Sequence, residues 1–420
     1  VRIFQFILVC TGVLLFQPCA LHAESLTLDK AMHLAAEAHP ETHMAEQDVA
    51  AARGLLREQS SYAYNPELLV EPQRRRFADR TNITADYYVT LSQQIEIPGK
   101  RASRSRAAAA MLEAAEDRAR DARQRRMIAA ARAAVMLDFF VHGEDVRRQQ
   151  RNIMRRLLDA VKQGYAAGEK SMLDVNLARA SYASAVSMAA QAEQSRLMAE
   201  RDMANALGLA EKAGHELRVI LPALDRSWEP PADAVRLALA SRPDLQAVKA
   251  SARAGEAKAQ LAGLERIPDP TLSLLAGQDT HDRILGVGVN IPLPVLNSHT
   301  GAYKAAVAER ERSRLASRWR TEQLKREVAT AVRAYEVVSR TLQLFMQGQT
   351  PEAEKNIRLA QTAYENGEMD LSDLVVYLDR SLNARMTRLE LVRQLWLARI
   401  RVAAAIGRPD ILKTRKGHQQ

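Results

Sequence analysis

Histidine, methionine and acidic side chains are the residues here that could do chemistry, and their spacing assigns them little of it. His39 and His43 lie four apart and could share a helical face, a spacing that can bind metal. No third ligand lies nearby, and His22, His33, His142, His215, His281, His299 and His418 are scattered. Met111, Met127, Met136, Met154 and Met172 read as gap-filling core residues rather than a copper path. No Ser-His-acid pattern, phosphate-cradling glycine loop, His-Glu-x-x-His or paired-carboxylate cleft is present. No catalytic residue, cofactor or resident metal is therefore expected, and the chain does not read as an enzyme. What remains is an acidic pattern that occurs twice: Tyr165-Ala166-Ala167-Gly168-Glu169 with Asp174, and Tyr364-Glu365-Asn366-Gly367-Glu368 with Asp373.

That pattern belongs to a larger duplication. Asn205-Ala206-Leu207-Gly208 is echoed by Ala404-Ala405-Ile406-Gly407, Ala38-His39-Pro40-Glu41 by Ser241-Arg242-Pro243-Asp244, and Asn65-Pro66 by Asp269-Pro270. The offset far exceeds a solenoid period of roughly 20–50 residues, so the chain consists of two large halves. The resulting divisions are residues 24–208 with a hairpin near 62–98, a linking segment 209–232, residues 233–407 with a hairpin near 268–294, and a polar tail 408–420.

The chain has 420 residues, few aromatics and a formal charge of +10. Such a charge invites a nucleic-acid reading, but no zinc-ligand pattern, recognition-helix unit or ribonucleoprotein motif accompanies it, so no nucleic-acid partner is expected. Arg2, the apolar runs Ile3–Cys10 and Val13–Phe16, and Ala23 read as a signal peptide over residues 1–23. Both cysteines, Cys10 and Cys19, would leave with it. Two alternatives stay open: a membrane anchor, and lipid attachment at Cys19.

Helical patterns cover 27–60 with a restart after Pro40, 100–163, 171–207, 237–264 and 302–345. At ~1.5 Å per residue the second approaches 100 Å, too long for a compact domain. Leu324, Val328, Ala331, Tyr335, Val338, Leu342 and Phe345 form a heptad stripe. Strand patterns fall at 66–70, 87–97, 271–276 and 285–293, with polar loops expected at 74–82 and 277–283. Tyr87, Val89 and Leu91 alternate with Tyr88, Thr90 and Ser92, and Leu285, Val287 and Val289 with Gly286, Gly288 and Asn290. Pro98-Gly99 and Pro292 to Pro294 mark the exits from strand. Four strands cannot close a barrel alone. Three chains pooling their strands would give twelve, closed in an outer membrane with the apolar side toward lipid.

The paired strands, the exit Ile95-Glu96-Ile97-Pro98-Gly99-Lys100-Arg101 and the repeated Tyr-x-x-Gly-Glu-x-x-x-x-Asp pattern resemble the TolC-type outer-membrane efflux proteins, most of all the outer-membrane components of cobalt, zinc and cadmium efflux systems. The resemblance implies a mainly α fold with a membrane β-barrel portion, in which a duplicated unit of long coiled-coil helices and two β-hairpins trimerises. A twelve-stranded β-barrel then continues into a helical barrel, with residues 209–232 as an equatorial segment. It implies a homotrimer in the outer membrane of a Gram-negative bacterium, in contact with lipid and extending into the periplasm. The implied partners are a periplasmic adaptor and an inner-membrane RND proton-driven pump.

It also implies that Tyr165, Gly168, Glu169, Leu173, Tyr364, Gly367 and Glu368 form periplasmic tip turns that meet the adaptor, with each tyrosine packed beside its glycine. Asp370, Asp373 and Tyr377 would form a gate, and Asp174 would start a helix. The cargo implied is a divalent heavy-metal cation. An exit duct for organic compounds, and a secreted periplasmic coiled-coil scaffold, are the alternatives.

Overall fold

The computed structural model describes residues 26–76, 83–209, 217–225, 227–280, 282–348 and 353–412. The expected signal peptide and the tail beyond Leu412 lie outside the described residues. The first half runs β1 (Leu26–Thr27), α1 (Leu28–Ala38), α2 (Pro40–Ser60), β2 (Glu67–Arg76), β3 (Ile83–Gln94), α3 (Lys100–Ala166) and α4 (Met172–Leu207). After β4 (Val219–Ile220) the second half follows as α5 (Ala234–Ser241), α6 (Pro243–Leu264), β5 (Thr271–Asp279), β6 (Asp282–Asn290), α7 (Thr300–Gln347), α8 (Ala353–Glu365) and α9 (Leu371–Ile406). In the first half α3 is continuous over 67 residues, whereas in the second α7 ends at Gln347 and α8 begins at Ala353.

Packing explains why the echoed sequences occur together. Pro40 and Pro243 sit in the first helical turn, where the missing N–H costs nothing, so each short helix stops and restarts there. Gly208 and Gly407 end α4 and α9 in the left-handed conformation, at φ 71° and 77°. A β-carbon on Gly208 would lie 3.0 Å from His39 Cα, and one on Gly407 2.9 Å from Arg242 Cδ. The His39-Pro40 and Arg242-Pro243 corners therefore press on the two glycine ends. In the second half Arg242 also donates to the carbonyls of Ala404 and Ala405, and Ser241 to that of Ile406.

Buried side chains form clusters strung along the helices. One gathers Met32, Val135, Leu137, Met203, Leu207 and Ile400. Another joins the end of α3 to the starts of α4 and α9 through Val161, Val175, Leu374, Leu378 and Leu382. In the third, the heptad residues Leu324, Val328, Tyr335 and Leu342 are buried with Leu395, Ala398 and Val402, and Ala331 and Val338 pack beside them. Alanine fills much of the buried surface of α3 and α6, which lets long helices approach closely.

The strands form an antiparallel sheet in the order β2-β3-β5-β6, with β1 and β4 as a separate parallel pair. Strand limits differ from the sequence expectation. β2 continues to Arg76 and β5 to Asp279, through residues expected in loops, because the polar side chains there occupy ladder positions. Polarity there marks which face a residue serves and does not mark a loop. β3 stops at Gln94 and β6 at Asn290, short of Ile97 and Leu293. Pro292 and Pro294 cannot donate to a ladder. The Ile97 N–H donates to a side chain, Asp269 Oδ1, at 2.8 Å. The polar tail also needs correction, since Pro409–Leu412 makes a 3-10 turn with Pro409 and Leu412 buried.

Candidate functional site

Cross-strand register sorts the sheet into two faces. On one lie Leu68, Val70, Pro72 and Arg74 of β2, then Ala85, Tyr87, Val89, Leu91 and Gln93 of β3. The same face continues with Leu272, Leu274, Ala276 and Gln278 of β5, and Arg283, Leu285, Val287 and Val289 of β6. On the other lie Glu67, Leu69, Glu71, Gln73 and Arg75, then Asp86, Tyr88, Thr90 and Ser92, then Ser273, Leu275, Gly277 and Asp279, then Asp282, Ile284, Gly286 and Gly288. The apolar face is the more open one: Leu285 is 84% exposed and Val287 77%. An exposed apolar surface of this extent marks an interaction site. The polar face is tied together at its far end, where Arg75 reaches Asp279 at 2.7 Å and Asp86 at 3.2 Å, and the Thr280 N–H donates to Asp86.

A buried ionic junction fixes the sheet to the helices. Lys100 Nζ, at the start of α3, donates to Asp269 Oδ1 at 2.8 Å and to the Ile267 carbonyl at 2.6 Å. Tyr64 donates to the other oxygen of Asp269 at 2.8 Å. Burial pushes the Asp269 carboxyl up, but hydrogen bonds from Lys100, the Ile97 N–H and Tyr64 outweigh it and hold the group below its ordinary value. Arg104 adds a second strut, bonding Glu96 at 2.6 Å and the carbonyls of Gln59 and Ser61.

At the other end of the helices the two tip turns share one backbone. Gly168 and Gly367 have φ 80° and 79°. Their N–H groups donate to the carbonyls of Tyr165 and Tyr364, and the next N–H groups to those of Gly164 and Ala363. The side chains differ. Tyr165 is half exposed, whereas Tyr364 packs against the core with Lys170 Nζ 4.7 Å from its ring centre. Of the two tyrosines, Tyr364 alone packs against a buried cluster. Leu173 is 77% exposed, and Glu169 and Glu368 point to solvent.

The two aspartates also part company. Asp174 completes a capping box, accepting from the Ser171 N–H and hydroxyl while Ser171 Oγ accepts the Asp174 N–H. These bonds hold its carboxyl below the usual range, the backbone bond most of all. Asp373 occupies the equivalent place in α9, where Asp370 stands at the cap without a side-chain bond. Both Asp370 and Asp373 are exposed, while Tyr377 packs partly against the tip cluster.

Residues 234–408 match the family model described as outer membrane efflux protein. The structural likeness extends over both halves. A membrane protein from Pseudomonas aeruginosa superposes with a TM-score of 0.77 at 20% identity, covering 91% of this chain and 90% of that one. The Campylobacter jejuni CmeC outer membrane channel gives 0.79 at 16%, covering 90% and 85%. The outer membrane protein VceC from Vibrio cholerae gives 0.75 at 19%, covering 90% and 96%. No curated protein matches the chain. The mainly α fold is thus that of TolC-type outer-membrane channels.

The two histidines four residues apart do not converge on one site. His39 Nδ1 accepts the Glu41 N–H at the start of α2, and His43 faces Glu46 at 3.4 Å, so the pair forms no shared site. Among the described residues no group of three or more His, Cys, Asp or Glu is placed to hold a metal ion. Pro98, Gly99, Pro292 and Pro294 lie between strand and helix, Gly99 with φ 97° immediately before α3. Sequence reasoning missed the ionic junction. Its signals were present, an acid before a strand-opening proline and a lysine after Pro98-Gly99, but 169 residues separate the partners.

Proposed function

We propose that the chain is one subunit of a trimeric outer-membrane exit duct of TolC type, a passive conduit that performs no reaction. The observation carrying this reading is the sheet with its apolar face open and two unpaired edges, β2 and β6. A lipid-facing sheet must pair every backbone group, and three copies joined edge to edge would do so in a twelve-stranded barrel. In this reading the strands cross the membrane; no described helix is long and apolar enough to span one. A periplasmic adaptor at the tip turns and an inner-membrane proton-driven pump complete the machine.

For cargo we favour divalent metal cations over organic compounds. The polar face, which would line the barrel, carries Glu67, Glu71, Asp86, Asp279 and Asp282 against Arg75. Asp370 and Asp373 would add acidic rings at the tip, with Tyr377 behind them.

Fractionation and planar-bilayer recording test the duct. The expected result is an outer-membrane trimer that conducts ions, and a soluble, silent monomer would favour a periplasmic scaffold. Heightened zinc, cobalt or cadmium sensitivity of a deletion strain tests the cargo.

A further inference from the structure

The charges on the sheet are sorted by face more completely than a barrel requires. Along the described strands every carboxylate lies on the polar face, and the charged residues whose register places them on the apolar face are all arginines: Arg74, Arg76 and Arg283. Arg74 and Arg283 are exposed, and neither has an ion-pair partner among the described residues. Arg75, one residue along and facing the other way, is held by two carboxylates.

The register fixes their level. Pro72, Tyr87, Gln278 and Arg283 form one row across the sheet, Tyr87 donating to Gln278 at 3.0 Å. Arg74 lies one pleat farther out, beside Ala85. The rows on the helix side of it are aliphatic: Val70, Val89, Ala276 and Leu285, then Leu68, Leu91, Leu274 and Val287. An aliphatic band that ends in tyrosine and arginine at the hairpin-tip end is the pattern of a membrane–water interface.

Resting on the exit-duct reading above, we propose that Arg74 and Arg283 form a binding site for the phosphate groups of outer-leaflet glycolipid. They stand on β2 and β6, the two edge strands, so closing the barrel would bring Arg74 of one subunit near Arg283 of the next. A neighbouring copy offers no carboxylate on the described part of this face, and an anion of the surrounding leaflet would supply the neutralising charge. Guanidinium binds phosphate bidentately, and the hydrocarbon rows beneath would hold the acyl chains.

The test uses the full chain in nanodiscs of phosphatidylcholine containing either a bis-phosphorylated lipid A-type glycolipid or its dephosphorylated form, with retained lipid counted by native mass spectrometry. The phosphorylated lipid is expected to be retained selectively. Retention should weaken about fivefold for each arginine removed in Arg74→Gln and Arg283→Gln, with much of it kept in the lysine variants. Equal retention of the two lipids, or an unchanged double glutamine variant, overturns the proposal while leaving the duct reading standing. Displacement of the glycolipid by millimolar inorganic phosphate overturns the lipid as ligand. A chain that fails to enter the bilayer overturns both readings.

Discussion

Lys100 and Asp269 are 169 residues apart in the chain, yet the lysine ammonium lies 2.8 Å from the carboxylate, with side chains only 8% and 5% exposed. The pair joins the first residue of α3 to the entrance of β5, and so one half of the duplication to the other. Removing one partner of such a pair leaves an uncompensated buried charge, at a cost of about 3–5 kcal/mol. Lys100→Met is expected to destabilise the protein by that order in denaturant titrations. Combined with Asp269→Asn, it should cost less than the sum of the single changes, because the shared interaction is then lost once.

The glycines of the tip and of the corner separate backbone strain from steric strain. Nothing lies within 4 Å of a β-carbon placed on Gly168, so Gly168→Ala should cost only the left-handed penalty, about 1–2 kcal/mol. Gly208→Ala meets the same penalty and also strikes the His39 backbone at 3.0 Å. It should be clearly the more damaging of the two in thermal denaturation, and equal losses would refute the close packing of α4 on that corner.

Much of this architecture was legible because the signals were local or repeated. The duplication set the order of the main elements, and proline and glycine positions set the limits of α2, α3, α4 and α7 to within a few residues, whereas the break between α5 and α6 at Pro243 and the separate helix α8 were not legible. The alternation in Tyr87–Leu91 and Leu285–Val289 identified the two faces. Legibility failed where tertiary context gave a residue its meaning. Arg74 and Asp279 read as loop because polar residues in a strand look like loop until a polar interior is known. Asp174 and Asp373 looked equivalent, and only the neighbouring Ser171 against Asp370 distinguishes them.

Asp244 makes acid stability testable. Burial pushes its carboxyl up, but hydrogen bonds and charge from Arg242 and Arg320 outweigh this and bring it down to about 2 from 3.8. Arg242 bonds both of its oxygens at 2.7 Å, and Arg320 approaches at 2.6 Å. A carboxyl depressed on folding adds stability above its unfolded value and loses it as pH falls through the folded one. The contribution, ~2 kcal/mol, should be complete above pH 5 and fade between about pH 4 and 2. The stability gap between wild type and Asp244→Asn should narrow over that window. A gap independent of pH would rule out the linkage.

Asp373 and Asp174 offer the sharpest contrast at the tip, since they occupy equivalent helix positions with different commitments. Asp174 spends both its backbone and its carboxylate on Ser171, so Asp174→Ala should cost ~1 kcal/mol of stability and leave ion selectivity unchanged. Asp373 is exposed and has no side-chain hydrogen bond among the described residues. If three copies form a ring around the passage, their charge acts on permeating ions directly. Asp373→Ala should then move the reversal potential in a salt gradient toward weaker cation preference at little cost in stability, and Asp373→Glu should restore it. A reversal potential that shifts with Asp174→Ala, or fails to shift with Asp373→Ala, would place the selectivity elsewhere, with the acidic face of the sheet the next region to mutate.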